Sequence, residues 1–173
     1  MGEVRRLAPG IVPDEHVPSV CAIDPSRLVG LGIQAVLLDL DNTLLPRGQE
    51  DIPERAIAWV GALKQADLKV ALLTNSARFA VAKAADALDL PLEDNAFKPF
   101  TAGYRHLLFR LDVAPEHAVM VGDQSYTDIL GAHRAGIRAI MVDPLSHDDP
   151  PHTKVLRLVD AWAIRRADSN MLS

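Results

Sequence analysis

The chain is short of cysteine, of basic charge and of long apolar runs, and each shortage narrows what it does. A single cysteine, Cys21, in 173 residues allows no disulfide within the chain and gives no sign of an oxidising, secretory setting. Lysine and arginine number 18 against 23 aspartates and glutamates, a formal net charge of -5, so no basic field points to nucleic acid. No stretch approaches the roughly 20 apolar residues of a membrane-spanning helix. The opening MGEVRRLAPG lacks the apolar core of a signal peptide. There is no internal repeat and no low-complexity tract. What is present is ordinary for a soluble domain, with 49% hydrophobic and 24% charged residues. These features predict one domain over residues 1–173, in the cytoplasm.

Four prolines (Pro9, Pro13, Pro18, Pro25) mark the first 30 residues as an irregular lead-in. Beyond it, short apolar runs alternate with segments of helical spacing. Strands are predicted at Ile33 to Leu40, Val70 to Leu73, Ala118 to Val121 and Arg138 to Val142, with a shorter one at Ala96-Phe97. Helices are predicted from Pro53 to Gln65, Ala77 to Leu88, Gly103 to Leu111 and Asp128 to Ala135, the last stopped by Gly136. Residues 143–173 read as a loop followed by an amphipathic helix. Uniformly apolar strands alternating with helices predict an α/β fold, a Rossmann-like doubly wound parallel sheet. Such sheets bind ligands at the carboxyl ends of their strands, where Asp39, Thr74 and Asp123 all fall.

Two aspartates interrupt the run LLDLDNTLL, where a buried strand wants neither. At strand spacing Asp39 and Asp41 face the same way, and two close carboxylates repel unless a cation or a shared proton relieves them. Mg²⁺, held by one or two carboxylates and its own waters, suits such a pair; a turn or cap role for Asp41-Asn42-Thr43 is the plain alternative. In VGDQSYTD, Asp123 follows a strand and Asp128 comes five residues later, within reach of the same ion or serving as a helix cap. In LLTNS, Thr74, Asn75 and Ser76 offer a hydroxyl and backbone amides to a phosphoryl oxygen, or form an ordinary strand-to-helix turn. Pro99 holds Lys98 extended, which suits a lysine aimed at one place, although a solvated lysine is the default.

In order, DLDNT, Thr74, Lys98-Pro99 and GDQSYTD resemble the haloacid dehalogenase (HAD) superfamily of phosphohydrolases, from Leu37 to about Val142. The resemblance implies that Asp39 is a nucleophile forming an aspartyl-phosphate and that Asp41 is the general acid/base. Thr74 and Lys98 would hold the phosphoryl group, and Asp39, Asp41, Asp123 and Asp128 would serve Mg²⁺. Asn75, Ser76, Arg78 and Arg47 are candidate substrate contacts. Leu45 to Pro53 and Thr74 to Lys98 are too short for the cap domains usual in the superfamily, so the site is expected to be capless and open. With its flanks the chain looks like the YqeG-type, subclass IIIA branch, whose members include phosphatidylglycerophosphate phosphatases.

That branch implies a phosphorylated substrate at a bilayer, a phospholipid head group. The tail, with Val155, Leu158, Val159 and Trp162 among Lys154, Arg157, Arg165 and Arg166, is either a peripheral membrane contact or a helix packed on its own domain. His147, Asp148, Asp149 and His152 form a cluster near the same edge, read as a solvated, substrate-facing loop rather than a metal site. His133 has no evident chemical partner. Two other functions stay open. One is hydrolysis of a small soluble phosphate, a sugar phosphate or nucleotide, in an oligomer that closes the site. The other is a non-hydrolytic phosphoryl-accepting signalling or scaffold protein, against which Asp41 argues.

Overall fold

Apolar residues dominate the runs Ala35–Leu38, Lys69–Leu73, Ala118–Gly122 and Arg138–Val142, and each run pairs with its neighbours as a strand. The computed structural model describes residues 10–77, 79–146 and 158–166. In chain order the strands are β1 (Glu15–Val17), β2 (Ala35–Leu38), β3 (Lys69–Leu73), β4 (Leu92–Glu93), β5 (Ala118–Gly122) and β6 (Arg138–Val142). All pair in parallel, in the order β1-β6-β5-β2-β3-β4. The helices are α1 (Pro25–Gly30), α2 (Glu54–Gln65), α3 (Phe79–Leu88), α4 (Ala102–Leu111), α5 (Leu130–Arg134) and α6 (residues 158–166).

The period of two along each strand sorts its side chains into two cores. Val36, Leu38, Val70, Leu72, Val119 and Val121 pack under α1, α2 and α3. Ala35, Leu37, Ala71, Leu73, Ala118 and Met120 pack on the other face, under α4 and α5. With both faces covered, this is the doubly wound Rossmann-like sheet that the sequence predicts. Segments 45–53 and 74–98 carry no inserted domain among their described residues; the longer holds α3 and the two-residue β4. From β2 the chain winds outward through β3 and β4, then returns to β5 on the other side. The reversal leaves a crevice between the ends of β2 and β5.

Four expectations need correction. Residues 10–30 are not an irregular lead-in. They supply β1, a one-turn 3-10 helix at Val20–Ala22, and α1, whose N-terminus Asp24 caps. As an edge strand of three half-buried residues, Glu-His-Val, β1 shows no apolar run to recognise. Its anchor is Asp14, which pairs with Ala139 through both backbone and side chain (3.0 and 2.8 Å). His133 lies against the Gly10 carbonyl (2.7 Å) and the Asp14 carboxylate (3.2 Å), so it ties the N-terminal segment to the domain.

Second, the strand expected at Ala96-Phe97 lies earlier, at Leu92–Glu93, and Phe97 instead takes a left-handed φ of 51°. Third, the helix expected from Asp128 begins as a wide turn over Ser125–Ile129 before α5. Fourth, the tail helix does pack on its own domain, but through Asp160, Ala163 and Ile164 rather than through Leu158 and Trp162, which are exposed. Burying the short side of the helix lets Asp160 accept the Ser125 amide at 2.8 Å. No helix among the described residues is long and apolar enough to cross a membrane.

Candidate active site

The carboxyl ends of β2, β3 and β5 lie side by side, so the residues that follow them meet at one edge. Asp39 stands just beyond β2, yet its amide still bonds the Val121 carbonyl at 2.9 Å. The chain then turns sharply. The amides of Leu44 and Leu45 both point at the Leu40 carbonyl (3.0 and 2.9 Å), and Asn42 adopts a φ of 66°, which asparagine tolerates. Asp39 and Asp41, two residues apart, both line the cavity at this edge.

The turn buries Thr43, whose hydroxyl lies 3.1 Å from Asp39 Oδ2 and 3.4 Å from Asp123 Oδ1. Asn42 is clasped by Ser146. Its Oδ1 accepts from the Ser146 amide and hydroxyl (3.0 and 2.7 Å), and its Nδ2 donates to the Ser146 carbonyl (3.1 Å).

Asp39, Asp123 and Asp128 are buried, and each offers an oxygen within 4.8 Å of the others. Lys98 Nζ donates to Asp39 Oδ1 and Asp128 Oδ1, both at 2.6 Å. Burial works against the Lys98 ammonium, but the Asp128 and Asp39 carboxylates hold its pKa well above the usual lysine value. Burial pushes Asp128 up to about 6, against the pull of Lys98 and of the Gln124 amide at 3.1 Å. Among the described residues, the Lys98 ammonium meets two of these three clustered carboxylates. A divalent cation fits that set, because it would balance the remaining negative charge and take hard oxygen ligands.

Lys98 is aimed by its backbone. Its amide donates to Asn75 Oδ1 (2.6 Å), Asn75 Nδ2 donates to its carbonyl (3.0 Å), and the Lys98-Pro99 bond is cis. Thr74 is buried, and its hydroxyl accepts the Ser76 amide at 3.1 Å. These groups floor an open cavity of about 280 Å³ whose walls include Asp41, Arg47, Ser76, Gln124 and Thr127.

A family model described as HAD-hydrolase-like matches residues 96–154. Over 149 residues the chain is 30% identical to the probable phosphatase YqeG of Bacillus subtilis (strain 168), spanning 86% of this chain and 87% of that protein. The chain belongs to the HAD-like hydrolases.

Within that family it is a HAD-type phosphatase. It is 28% identical over 165 residues to phosphatidylglycerophosphate phosphatase 1, chloroplastic, of Chlamydomonas reinhardtii, covering 89% of this chain and 61% of that one. The fold also matches the cobalt-bound deoxy-D-mannose-octulosonate 8-phosphate phosphatase of Haemophilus influenzae. The TM-score is 0.57 at 20% identity, over 75% of this chain and 77% of that one.

In this HAD phosphatase, Asp39, Thr74, Lys98 and Asp128 converge on one cavity, as their motifs predict. Asp123 is buried against the same carboxylates. Asp41 lines the cavity but stands outside the three-carboxylate cluster. Asn75, expected to touch substrate, lines the cavity and also holds the Lys98 backbone with its side chain. Arg47 and Ser76 reach the cavity wall, and Arg78 and the segment His147 to His152 lie outside the described residues. Thr43, Gln124 and Thr127 were within the motifs but not singled out as site residues. Ser146 and Asp160 had no local signal, since their partners are 104 and 35 positions away.

Proposed function

We propose that the protein is a Mg²⁺-dependent phosphomonoester hydrolase that works through an aspartyl-phosphate on Asp39, with a lipid phosphate of the phosphatidylglycerophosphate kind as substrate. The observation that carries this reading is the buried set Asp39, Asp123 and Asp128 with Lys98 Nζ 2.6 Å from Asp39 and Asp128, which with Lys98 line an open cavity. Asp39, Asp123 and Asp128 would hold the cation, which when bound supplies positive charge to the phosphoryl oxygens.

Lys98 and Thr74, lining the same cavity, receive the phosphoryl group. The Asp39 carboxylate attacks phosphorus, the bond from phosphorus to the ester oxygen breaks, and Asp41 gives the leaving alkoxide a proton. Asp41 then takes a proton from water as that water attacks the phosphorus, releasing inorganic phosphate and restoring Asp39. A half-buried Asp41, lining the cavity but apart from the cation's carboxylates, suits a group that meets substrate. Standing there it also speaks against a scaffold role, because a switch needs a lasting aspartyl-phosphate.

The lipid assignment draws support from the chloroplastic relative and from the absence of a cap among the described residues. A second reading, a small soluble phosphate, draws support from a phosphoserine phosphatase of Thermus thermophilus. The two share a 36% identical stretch of 124 residues, which covers 66% of this chain and 50% of that protein. Phosphate release from phosphatidylglycerophosphate in mixed micelles, with Mg²⁺ or with EDTA, tests both readings. Release that needs Mg²⁺ and disappears in Asp39→Asn is expected. Turnover of an aryl phosphate alone would move the substrate to soluble phosphates. Turnover of neither would overturn the mechanism.

A further inference from the structure

Bulky apolar side chains are normally drawn inward, yet several that stand close in the chain to cavity-lining residues face solvent. Phe79 (83% exposed) lies three residues after Ser76, and Phe97 (71%) directly precedes Lys98. Phe100 (69%) follows Lys98 by two residues, and Tyr126 directly precedes Thr127. Each is thus within three residues of a side chain that lines the cavity. Phe97 and Phe100 share one turn, closed by the Phe100 amide on the Phe97 carbonyl at 3.0 Å. Phe97 also sits at a φ of 51°, a conformation that a bulky residue adopts only at a cost, and an outlier at a site is a pointer to use.

Helix α6 is tied to the segment that follows β5, whose Gln124 lines the cavity. Asp160 fastens it to the Ser125 amide, next to Tyr126, and within two residues of that anchor Leu158 and Trp162 are exposed. The Arg166 guanidinium lies 5.8 Å from the Trp162 ring centroid, and Arg165 beside it is exposed.

We propose that this aromatic rim is a membrane-contact surface. Phe79, Phe97, Phe100 and Tyr126, with Leu158 and Trp162 of α6, enter the interfacial layer of a phospholipid bilayer and seat the open cavity on it. The inference rests on the lipid-phosphate reading above and adds where the bilayer sits. A cavity of about 280 Å³ takes a head group but not acyl chains. The groups on its floor are buried, so the phosphate must descend to them while the chains stay at the rim.

The rim is apolar where those chains would lie. Tyrosine and tryptophan add the polar handles that favour an interface. With a net charge of -5, attraction to anionic lipid does not carry the docking, and apolar insertion does, with Arg165 and Arg166 left to meet phosphates. A second copy of the chain on the same aromatics would instead cover the mouth that substrate must enter.

Cosedimentation with phosphatidylglycerol–phosphatidylcholine vesicles is the test, alongside hydrolysis of phosphatidylglycerophosphate in bilayers and of a soluble aryl phosphate. The variants are Phe97→Asn with Phe100→Gln, and separately Leu158→Gln with Trp162→Gln. Asparagine at position 97 keeps a residue that accepts positive φ. Each aromatic removed should weaken vesicle binding by roughly tenfold. Bilayer hydrolysis should fall in step, and aryl phosphate turnover should stay at the parental level.

A parent chain that ignores vesicles, or variants that bind as the parent does, would overturn the surface. So would a parental dimer that the variants dissolve into monomers, because the rim would then be a contact between copies. Rim-dependent vesicle binding without lipid hydrolysis upholds the surface and refutes the lipid substrate. Lipid hydrolysis in detergent micelles without vesicle binding does the reverse.

Discussion

Replacing Lys98 by methionine removes the ammonium that contacts Asp39 and Asp128 and keeps most of the side chain's volume. At 2.6 Å and an effective dielectric near 20, each of its two contacts is worth roughly 6 kcal/mol before desolvation. The cost of burying the ammonium cancels much of that. The net effect of leaving buried carboxylates without their partner is about 3–5 kcal/mol of stability. Urea unfolding in EDTA, followed by the fluorescence of buried Trp59, reads that loss. Mg²⁺ should recover part of it, because a cation among the same oxygens supplies the missing charge.

The pH dependence has a definite sign. The folded-state pKa of Asp128 is already raised to about 6 by burial, and loss of Lys98 raises it further. A carboxyl raised above its unfolded value weakens the fold once it ionises. The penalty should therefore be full above the raised value and shrink as the pH falls below it. A loss under about 1 kcal/mol in EDTA at neutral pH, which many surface substitutions match, would refute the buried ion cluster. Turnover in Mg²⁺ should drop by about 10²–10³, the usual effect of deleting one charge-stabilising donor.

Gly122→Ala would place its Cβ onto the carboxyl group of Asp128, within 2.6 Å of Asp128 Cβ. Such overpacking should cost about 1–3 kcal/mol by thermal unfolding and lower Mg²⁺-dependent turnover, because the carboxylate must move. Burial disfavours the ionised Asp14, but hydrogen bonds from His133 and the Ala139 amide prevail and hold its carboxyl below the usual range. Asp14→Asn should therefore cost about 1–2 kcal/mol at neutral pH. That difference should vanish as the pH falls through the depressed folded value, seen as converging urea midpoints in acid.

The parallel α/β sheet and the converging motifs were legible because they depend on neighbours in the chain. Uniform apolar runs specify buried strands, and an acid, threonine or lysine just beyond such a run must emerge at the carboxyl edge. The edge strand β1 was hidden, since three half-buried residues need no apolar pattern, and its pairing with β6 is made 125 positions away. β4 was misplaced because Ala96-Phe97 looks apolar, while Leu92–Glu93 is a strand only through β3 beside it.

Within the site, sequence alone determined which residue types are delivered to the edge. Tertiary structure decided how they divide the work. Asp41 leaves the carboxylate cluster because the turn after Leu40 carries it aside, and Asn75 serves Lys98 because the loop bearing Lys98 folds back across it. It also decided that Asp160 faces inward and Trp162 outward on α6. A helical period marks a face without naming its partner, and only the packed domain shows which groups find hydrogen bonds and which stay in water.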